Sequence, residues 1–236
     1  MGLLDAFRPK QDDVRNTRAA LDEAAEERPS NAIDKVIATI VDVGIDGKGP
    51  FKSARQVAER ALTKQDGRPE AAIDAIVGSS RLTGAVGGFV TGLGGFITMP
   101  VALPANVLEF YVQATRMVAA IASLRGYDVD EPRIRTAVLL TLVGSDAQDV
   151  LKKAGVNVAG GALTSFALER LPRAALMMVN KAVGFRLLRG IAERFLTRLG
   201  RMVPLVGGLI GAGLDGWMMH RIAVAAKREF PTVQPT

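Results

Sequence analysis

Cysteine is absent from this 236-residue chain, and it has a single histidine, His220. Without cysteine there can be no disulfide, no thiolate nucleophile and no cysteine-bound zinc. One histidine is too few for most transition-metal sites, so we expect neither a metal nor another cofactor. His220 is also the only general base of the usual kind for a serine nucleophile. We therefore assign no catalytic residue, and the sequence disfavours an enzyme.

Charge is absent from 27 consecutive residues, Leu82–Leu108, although 23% of the chain is charged. An uncharged run of about 18 residues or more is typical of a membrane span. The run also holds six glycines and two prolines, Pro100 and Pro104, which fit a closely packed helical hairpin equally well. Three interpretations stay open: a buried hairpin, a segment lying in or against a bilayer, and a transmembrane helix.

Aromatic residues make up only 5% of the chain, and no segment alternates polar and apolar residues as a half-buried strand does. The periodicity predicts an all-α fold, a compact bundle of nine or ten helices. At its centre we expect two glycine-rich apolar hairpins, Leu82–Leu103 and Met202–Leu214. Residues 1–30 are predicted to form a polar, loosely docked N-terminal helix, residues 31–230 the helical domain, and residues 231–236 a disordered tail.

Capping and turn residues predict where several elements begin and end. Proline suits the first turn of a helix, and glycine suits the position just after its last turn. The expected features are helices over Ala32–Val43, Phe51–Leu62 and Ala105–Leu124, a turn at Asp66-Gly67, a helix start at Pro69, a helix end at Gly126, and an N-cap at Asp130.

Basic residues cluster late in the chain. Between Leu168 and Arg201 there are eight basic and two acidic residues, while the whole chain has a net charge of +6. A basic amphipathic helix beside apolar hairpins is suited to anionic lipid headgroups. A solvated basic face is the simpler alternative, and nucleic acid is disfavoured because the segment has almost no aromatic residues for base stacking. The predicted headgroup-binding residues are Arg186, Arg189, Arg194 and Arg198.

The glycine-rich runs carry the large apolar side chains that we expect to form a membrane or ligand surface. These are Phe89, Leu93, Phe96, Met99, Leu205 and Leu209. Glu109 and Arg116 follow on the next helix, within an otherwise apolar stretch. We expect them to be buried polar residues, with Arg116 either paired with a carboxylate such as Glu109 or Asp146 or reaching a ligand phosphate.

The order of these motifs resembles the EcsC family of small bacterial proteins. The motifs are the glycine-rich run after Gly84, Pro100 and Pro104, the helix with Arg116, then Gly126-Tyr127-Asp128, and finally Val203-Pro204-Leu205-Val206-Gly207-Gly208. The resemblance covers about Ile33 to Phe230. It implies a link to transport or membrane processes through a neighbouring ABC-transporter gene. Leu103 stands where members usually have an acidic residue, so a role tied to that carboxylate is not carried over.

The sequence favours a non-enzymatic, membrane-associated protein that binds anionic phospholipid. No apolar stretch near the N-terminus is long enough for a secretory signal, so we expect a cytoplasmic protein peripherally associated with the inner face of the membrane. The alternative is a soluble adaptor that uses the same surfaces on a protein partner such as a transporter subunit. A hydrolase is a third interpretation, and it predicts a polar pocket near His220 or Asp146. The ligand and the oligomeric state are not specified by the sequence.

Overall fold

The computed structural model of the protein describes residues 35, 37–48, 51–93, 95–144, 147, 151, 176, 179–184, 186–187, 189 and 204–233, without the side chains of 86–93, 95–107 and 204–211. Throughout that part the regular elements are helical and no strand occurs, which confirms the predicted fold class. The elements are a π-helical turn, Ile40–Ile45, and helices α1 (Ala54–Lys64), α2 (Pro69–Leu93), α3 (Gly95–Leu124), α4 (Pro132–Val143) and α5 (Pro204–Glu229).

The predicted turn at Asp66-Gly67, the helix start at Pro69 and the helix end at Gly126 all occur in the structure. Asp66 and Gly67 both have positive φ, 53° and 74°, and form the turn before α2, which begins at Pro69. Gly126, with φ of 91°, follows α3, and the next backbone N–H, that of Tyr127, donates to the carbonyl of Ala122 at 3.0 Å. These predictions are confirmed because each depends only on neighbouring residues.

Two helix starts differ from the predicted positions. α1 begins at Ala54, because the Ser53 side chain accepts from the Gln56 N–H while the Gln56 side chain accepts from the Ser53 N–H. This capping box fixes the start three residues after Phe51. The N-cap of α4 is Glu131, not Asp130. Asp130 instead uses its carboxylate to bind arginines.

In both glycine-rich segments the helices include residues that often end a helix. α3 begins at Gly95 and runs through Pro100 and Pro104. Each proline costs about 3 kcal/mol or more inside a helix, and the buried second half of α3 offsets that cost. The predicted hairpin Met202–Leu214 is wrong, because residues from 204 onward belong to one helix, α5, that continues to Glu229. Glycines weaken that helix by roughly 0.5–1 kcal/mol each but do not end it.

Helix α3 is the central element of the described bundle. The π-helical turn, α1, α2, α4 and α5 all pack against it. From Met117 to Ala122 its side chains are at most 1% exposed. α2 runs antiparallel to α3, since Glu70 in the first turn of α2 accepts from Arg125, just after α3, at 3.0 Å. No helix in the described residues is long and apolar enough to cross a membrane.

Small residues let α2 and α5 approach each other closely. A Cβ added at Gly84 would lie 3.5 Å from Met219 Cε, and one added at Gly216 would lie 3.7 Å from Ala85 Cβ. Both are ordinary van der Waals distances, so alanine would fit at either place. The tighter approach is at Gly44 in the π-helical turn, where a Cβ would lie 2.9 Å from Thr115 Cβ and 3.0 Å from the Val112 carbonyl oxygen of α3.

An ion-pair network joins the N-terminal ends of α1 and α4. The Arg135 guanidinium donates to both carboxylate oxygens of Asp46, and it also reaches Asp130 at 3.4 Å. Asp130 in turn accepts from Arg55 at 2.7 Å. The hydrogen bond to Asp46 is the main cause of a raised pKa at Arg135. Asp128 also accepts from Arg55, at 3.3 Å, so both aspartates have structural partners.

Replacing Gly44 with alanine is expected to lower the free energy of unfolding by about 1–3 kcal/mol, because the added methyl group overpacks against α3. Gly78→Ala in α2 is the matched control, since nothing lies within 4 Å of a Cβ there. That variant should gain about 0.5–1 kcal/mol from the lower flexibility of the unfolded chain. Urea denaturation measures both, and a Gly44→Ala protein as stable as the original chain would contradict the close packing.

Asp46→Asn is expected to cost about 1.5–3 kcal/mol, because it weakens a two-pronged, charge-assisted pair whose side chains are mostly covered. The control is Asp74→Asn, which breaks a more exposed pair with Lys227. Exposed pairs contribute roughly 0–1 kcal/mol. Thermal and urea unfolding of both variants would measure the difference, and equal losses would show that the Arg135 network adds nothing beyond a surface pair.

Candidate functional site

Helix α5 has two opposite faces in its second half. One face packs into the core through Met219, Ile222, Ala223 and Ala226, all buried. The opposite face carries Leu214, Trp217, Arg221, Val224 and Arg228, which we name the outer stripe. At about 100° per residue these five positions fall within an arc of roughly 80°. The sequence spacing of three and four residues therefore places them in one line along the helix.

The outer stripe exposes large apolar side chains to solvent. Leu214 is 41% exposed, Trp217 52% and Val224 54%. The Arg221 guanidinium lies over the Trp217 ring, 5.0 Å from its centroid. Such stacking keeps a cation beside an aromatic face at little conformational cost. Arg228 is less available, since it donates to Glu229 at 3.1 Å. The surface is therefore apolar with a basic edge.

A groove of about 590 Å³ lies between α4 and α5, and four residues of the outer stripe line it: Trp217, Arg221, Val224 and Arg228. Residues at the end of α4, such as Leu142 and Val143, form one wall, and the α5 residues Met218 and Ile222 contribute to the other. Because its walls are mainly hydrocarbon, the groove suits an apolar chain better than a polar substrate.

The groove includes His220, so it bears on the hydrolase interpretation. His220 is exposed, and no described carboxylate or hydroxyl group hydrogen-bonds to it. Thr141, another lining residue, donates its hydroxyl hydrogen to the Ala137 carbonyl of its own helix. The described residues contain no cluster of histidine and acidic side chains that could hold a metal ion. Asp146 lies outside the described residues. The described part of this groove thus supplies neither an activated nucleophile nor a metal-bound water.

Most of the site residues predicted from the sequence fall where the structure gives no side-chain description. Arg186 is half-buried and Arg189 is exposed, both in helical backbone, while Arg194 and Arg198 lie outside the described residues. The side chains of the predicted apolar surface are likewise outside the description: Phe89 and Leu93 at the end of α2, Phe96 and Met99 at the start of α3, and Leu205 and Leu209 at the start of α5. The predicted headgroup and apolar surfaces therefore stay predictions.

Of the partners expected for Arg116, Glu109 does not pair with it, and Asp146 lies outside the described residues. Glu109 is exposed and accepts a hydrogen bond from Gln113, one helical turn later, at 3.2 Å. Arg116 is half-buried and pairs with no carboxylate in the described residues. Its Nη2 donates to the Val43 carbonyl at 3.1 Å, and its guanidinium lies 5.3 Å from the centroid of the Phe51 ring. Two helical turns along α3 separate the acid from the arginine, so the acid is satisfied locally instead.

The local surroundings of Arg116 do not neutralise its charge. Its Nε is buried and has no hydrogen-bond partner in the described part of the chain. Burial lowers the pKa of the guanidinium from its ordinary value, because removal from water disfavours the charged form. An arginine stays protonated even so. The structure therefore holds a cation with unused donors beside the core.

Sequence reasoning missed the outer stripe. The segment Trp217–Phe230 reads as amphipathic, but Leu214 was assigned to a separate hairpin. The sequence feature that reveals the stripe is a regular spacing of three and four residues that continues past the end of the predicted hairpin. The residues at this spacing are Leu214, Trp217, Arg221, Val224 and Arg228. The spacing is visible only when the glycine-rich part and the amphipathic part are treated as one helix.

Comparison with known proteins gives a family but no individual relative. Neither the curated proteins nor the solved structures contain a significant match to this chain. The model of the EcsC protein family matches residues 10–232, which is nearly the whole sequence. The chain belongs to the EcsC protein family.

Proposed function

We propose that this protein binds anionic phospholipid at the cytoplasmic face of a membrane, without an enzymatic activity. The observation that supports it best is the outer stripe of α5, where three apolar side chains about half exposed lie in line with two arginines. A helix lying in the plane of a membrane interface uses this combination, with apolar residues entering the acyl region and basic residues meeting the headgroups.

The chemistry of the outer stripe suits an interface more than bulk water. Tryptophan prefers the headgroup level, where its ring is in an apolar environment and its N–H meets water or ester oxygens. Covering Leu214, Trp217 and Val224 would contribute about 2–4 kcal/mol, given their half-exposed state. Arg221 adds about 1 kcal/mol near an anionic surface, and Arg228 adds less because it is paired with Glu229. The sum corresponds to weak, reversible binding, as expected for a peripheral protein.

The basic residues Arg186, Arg189, Arg194 and Arg198 are proposed to add long-range attraction. The net charge of +6 favours approach to an anionic surface. We also propose that the first glycine-rich run, Leu82–Leu103, forms an apolar hairpin within a bundle of nine or ten helices. The side chains around Gly94, where α2 ends and α3 begins, would then insert shallowly beside the headgroups.

The alternative function is an adaptor that binds a membrane-protein partner such as a transporter subunit. The groove between α4 and α5 supports it, since apolar walls next to a tryptophan can receive a side chain or helix of a partner. Lipid is favoured because the stripe has the arginine and tryptophan composition of an interfacial helix. An adaptor would stay in solution in the presence of pure lipid vesicles.

Flotation of the purified chain with lipid vesicles tests the proposal. The double variant Trp217→Ser/Val224→Ser is expected to bind anionic vesicles at least about tenfold more weakly, since it loses most of the apolar contact. Val233→Ser is the control, because Val233 is similarly exposed and lies outside the outer stripe. Circular dichroism should show that both variants keep their helix content.

Salt separates the two contributions to this binding. Binding that persists in high salt indicates apolar insertion, whereas binding lost in high salt indicates surface electrostatics. Failure of the original chain to float with anionic vesicles at either salt concentration would reject direct lipid binding and favour the adaptor.

Reversing the charge of Arg186, Arg189, Arg194 and Arg198 to glutamate is expected to abolish binding to anionic vesicles, because four attractive charges become repulsive. The control changes the exposed basic residues Lys52, Arg60, Lys64 and Arg81 to glutamate, which alters the net charge equally. Flotation of both proteins compares the surfaces. Unchanged binding by the first variant would reject a role for these arginines, and equal losses would show that only net charge matters.

A further inference from the structure

A small cavity with a mixed lining lies where α1, α2 and α3 meet, and its apolar walls come from Val57, Ile76 and Met117. It has a volume of about 210 Å³, well above the roughly 10–15 Å³ that a single water needs on the same measure. Its polar lining comes from Ser79, Ser80 and Thr83 of α2 and from Gln113 and Arg116 of α3. Among the described residues, no acidic side chain lines it. The cavity therefore combines one cation with neutral hydrogen-bonding groups.

Arg116 is the group that gives this cavity its chemistry. Of its five N–H groups, the structure assigns one hydrogen bond, from Nη2 to the Val43 carbonyl. The buried Nε has no partner in the described residues, and no carboxylate there pairs with the guanidinium. A cation held away from water without a counter-charge is costly unless something compensates it. An anion in the cavity would supply both the charge and the missing acceptors.

The other polar groups around Arg116 are able to donate to the same anion. Ser80 makes no hydrogen bond with the described residues, so its hydroxyl is available. Gln113 uses one amide hydrogen for Glu109 and keeps the other. The hydroxyls of Ser79 and Thr83 donate to carbonyls of their own helix, at 2.9 Å in each case. Those local bonds are weak and can be exchanged for a charged acceptor.

We propose that the cavity at Arg116 binds a phosphate group, held by the guanidinium with Gln113 and the α2 hydroxyls. A tetrahedral phosphate accepts from several directions, which matches donors on two facing helices better than a planar carboxylate does. Arginine is also the side chain best shaped to bind phosphate oxygens in pairs. The phosphate comes from one of two sources, a lipid headgroup or a soluble phosphate compound. The proposal does not depend on the outer stripe of α5.

Isothermal titration calorimetry on the full chain tests the site with two probes. Inorganic phosphate represents the soluble source. Dihexanoyl phosphatidic acid, kept below its micelle concentration, represents a lipid headgroup without a bilayer. Binding of phosphate itself supports a soluble source, and binding of the short lipid alone supports a headgroup. Binding of neither probe overturns the proposal.

Arg116→Gln is expected to weaken the binding of whichever probe binds by about tenfold or more, since it removes the charge and the paired donors. Arg116→Lys should fall between, because a lysine keeps the charge but not the planar fork. Arg133→Gln is the matched control: it removes the same charge from α4, outside the cavity, and should change affinity less than about twofold. Equal affinity in Arg116→Gln and the original chain would overturn the proposal.

If Arg116→Gln fails to fold, a second variant tests whether the anion binds in this cavity. Ser80→Met fills the cavity from α2 and leaves the guanidinium and its contact with Val43 unchanged. It should abolish binding of both probes while the thermal unfolding midpoint stays close to that of the original chain. Binding that survives this filling would place the anion elsewhere and reject the cavity.

Discussion

The middle of α3 is enclosed by other helices on every side, and the rest of the described structure depends on that enclosure. A helix buried all round must be apolar on every face. Residues 117–122 of α3 meet this condition with alanines and aliphatic side chains. Three of these six residues are alanines, which allows neighbouring helices to approach closely. The π-helical turn approaches α3 through a glycine, Gly44, which lies against Thr115. The low aromatic content is consistent with this design, in which tight packing of small residues replaces large side chains.

The same enclosure restricts which polar groups the core tolerates. Thr115, Thr136 and Thr141 are buried, and each donates its hydroxyl hydrogen to a carbonyl of its own helix four residues earlier. Each hydroxyl thus forms its hydrogen bond within its own helix and needs no partner on a neighbouring helix. Arg116 differs, because its partners are a distant carbonyl and an aromatic ring and its Nε has none in the described residues. Arg116 does not follow the pattern of local hydrogen bonding that the buried threonines share, which makes it a candidate for ligand binding.

The sequence correctly predicted the features that depend only on residues close together in the chain. The turn at Asp66-Gly67, the start of α2 at Pro69 and the end of α3 at Gly126 all follow from local backbone preferences. It failed where packing overrides those preferences, as when α3 continues through two prolines. It was also wrong to expect a buried Glu109, which is exposed and accepts from a glutamine one turn along, whereas Arg116 donates to the Val43 carbonyl, 73 residues away. The predicted arginine cluster from Arg186 to Arg198 remains a prediction, because only part of it is described.

Helix α5 connects the packing of the bundle to its exposed surface. Gly216 and Met219 lie against Ala85 and Gly84 of α2, so the inner face of α5 is fixed. The orientation of the outer stripe on the opposite face is fixed as well, because rotation of a helix about its axis moves both faces together. Lipid binding through the stripe therefore requires no opening of the core and no exposure of buried side chains. On physical grounds the stripe is the surface that can meet a membrane first, while the bundle stays folded.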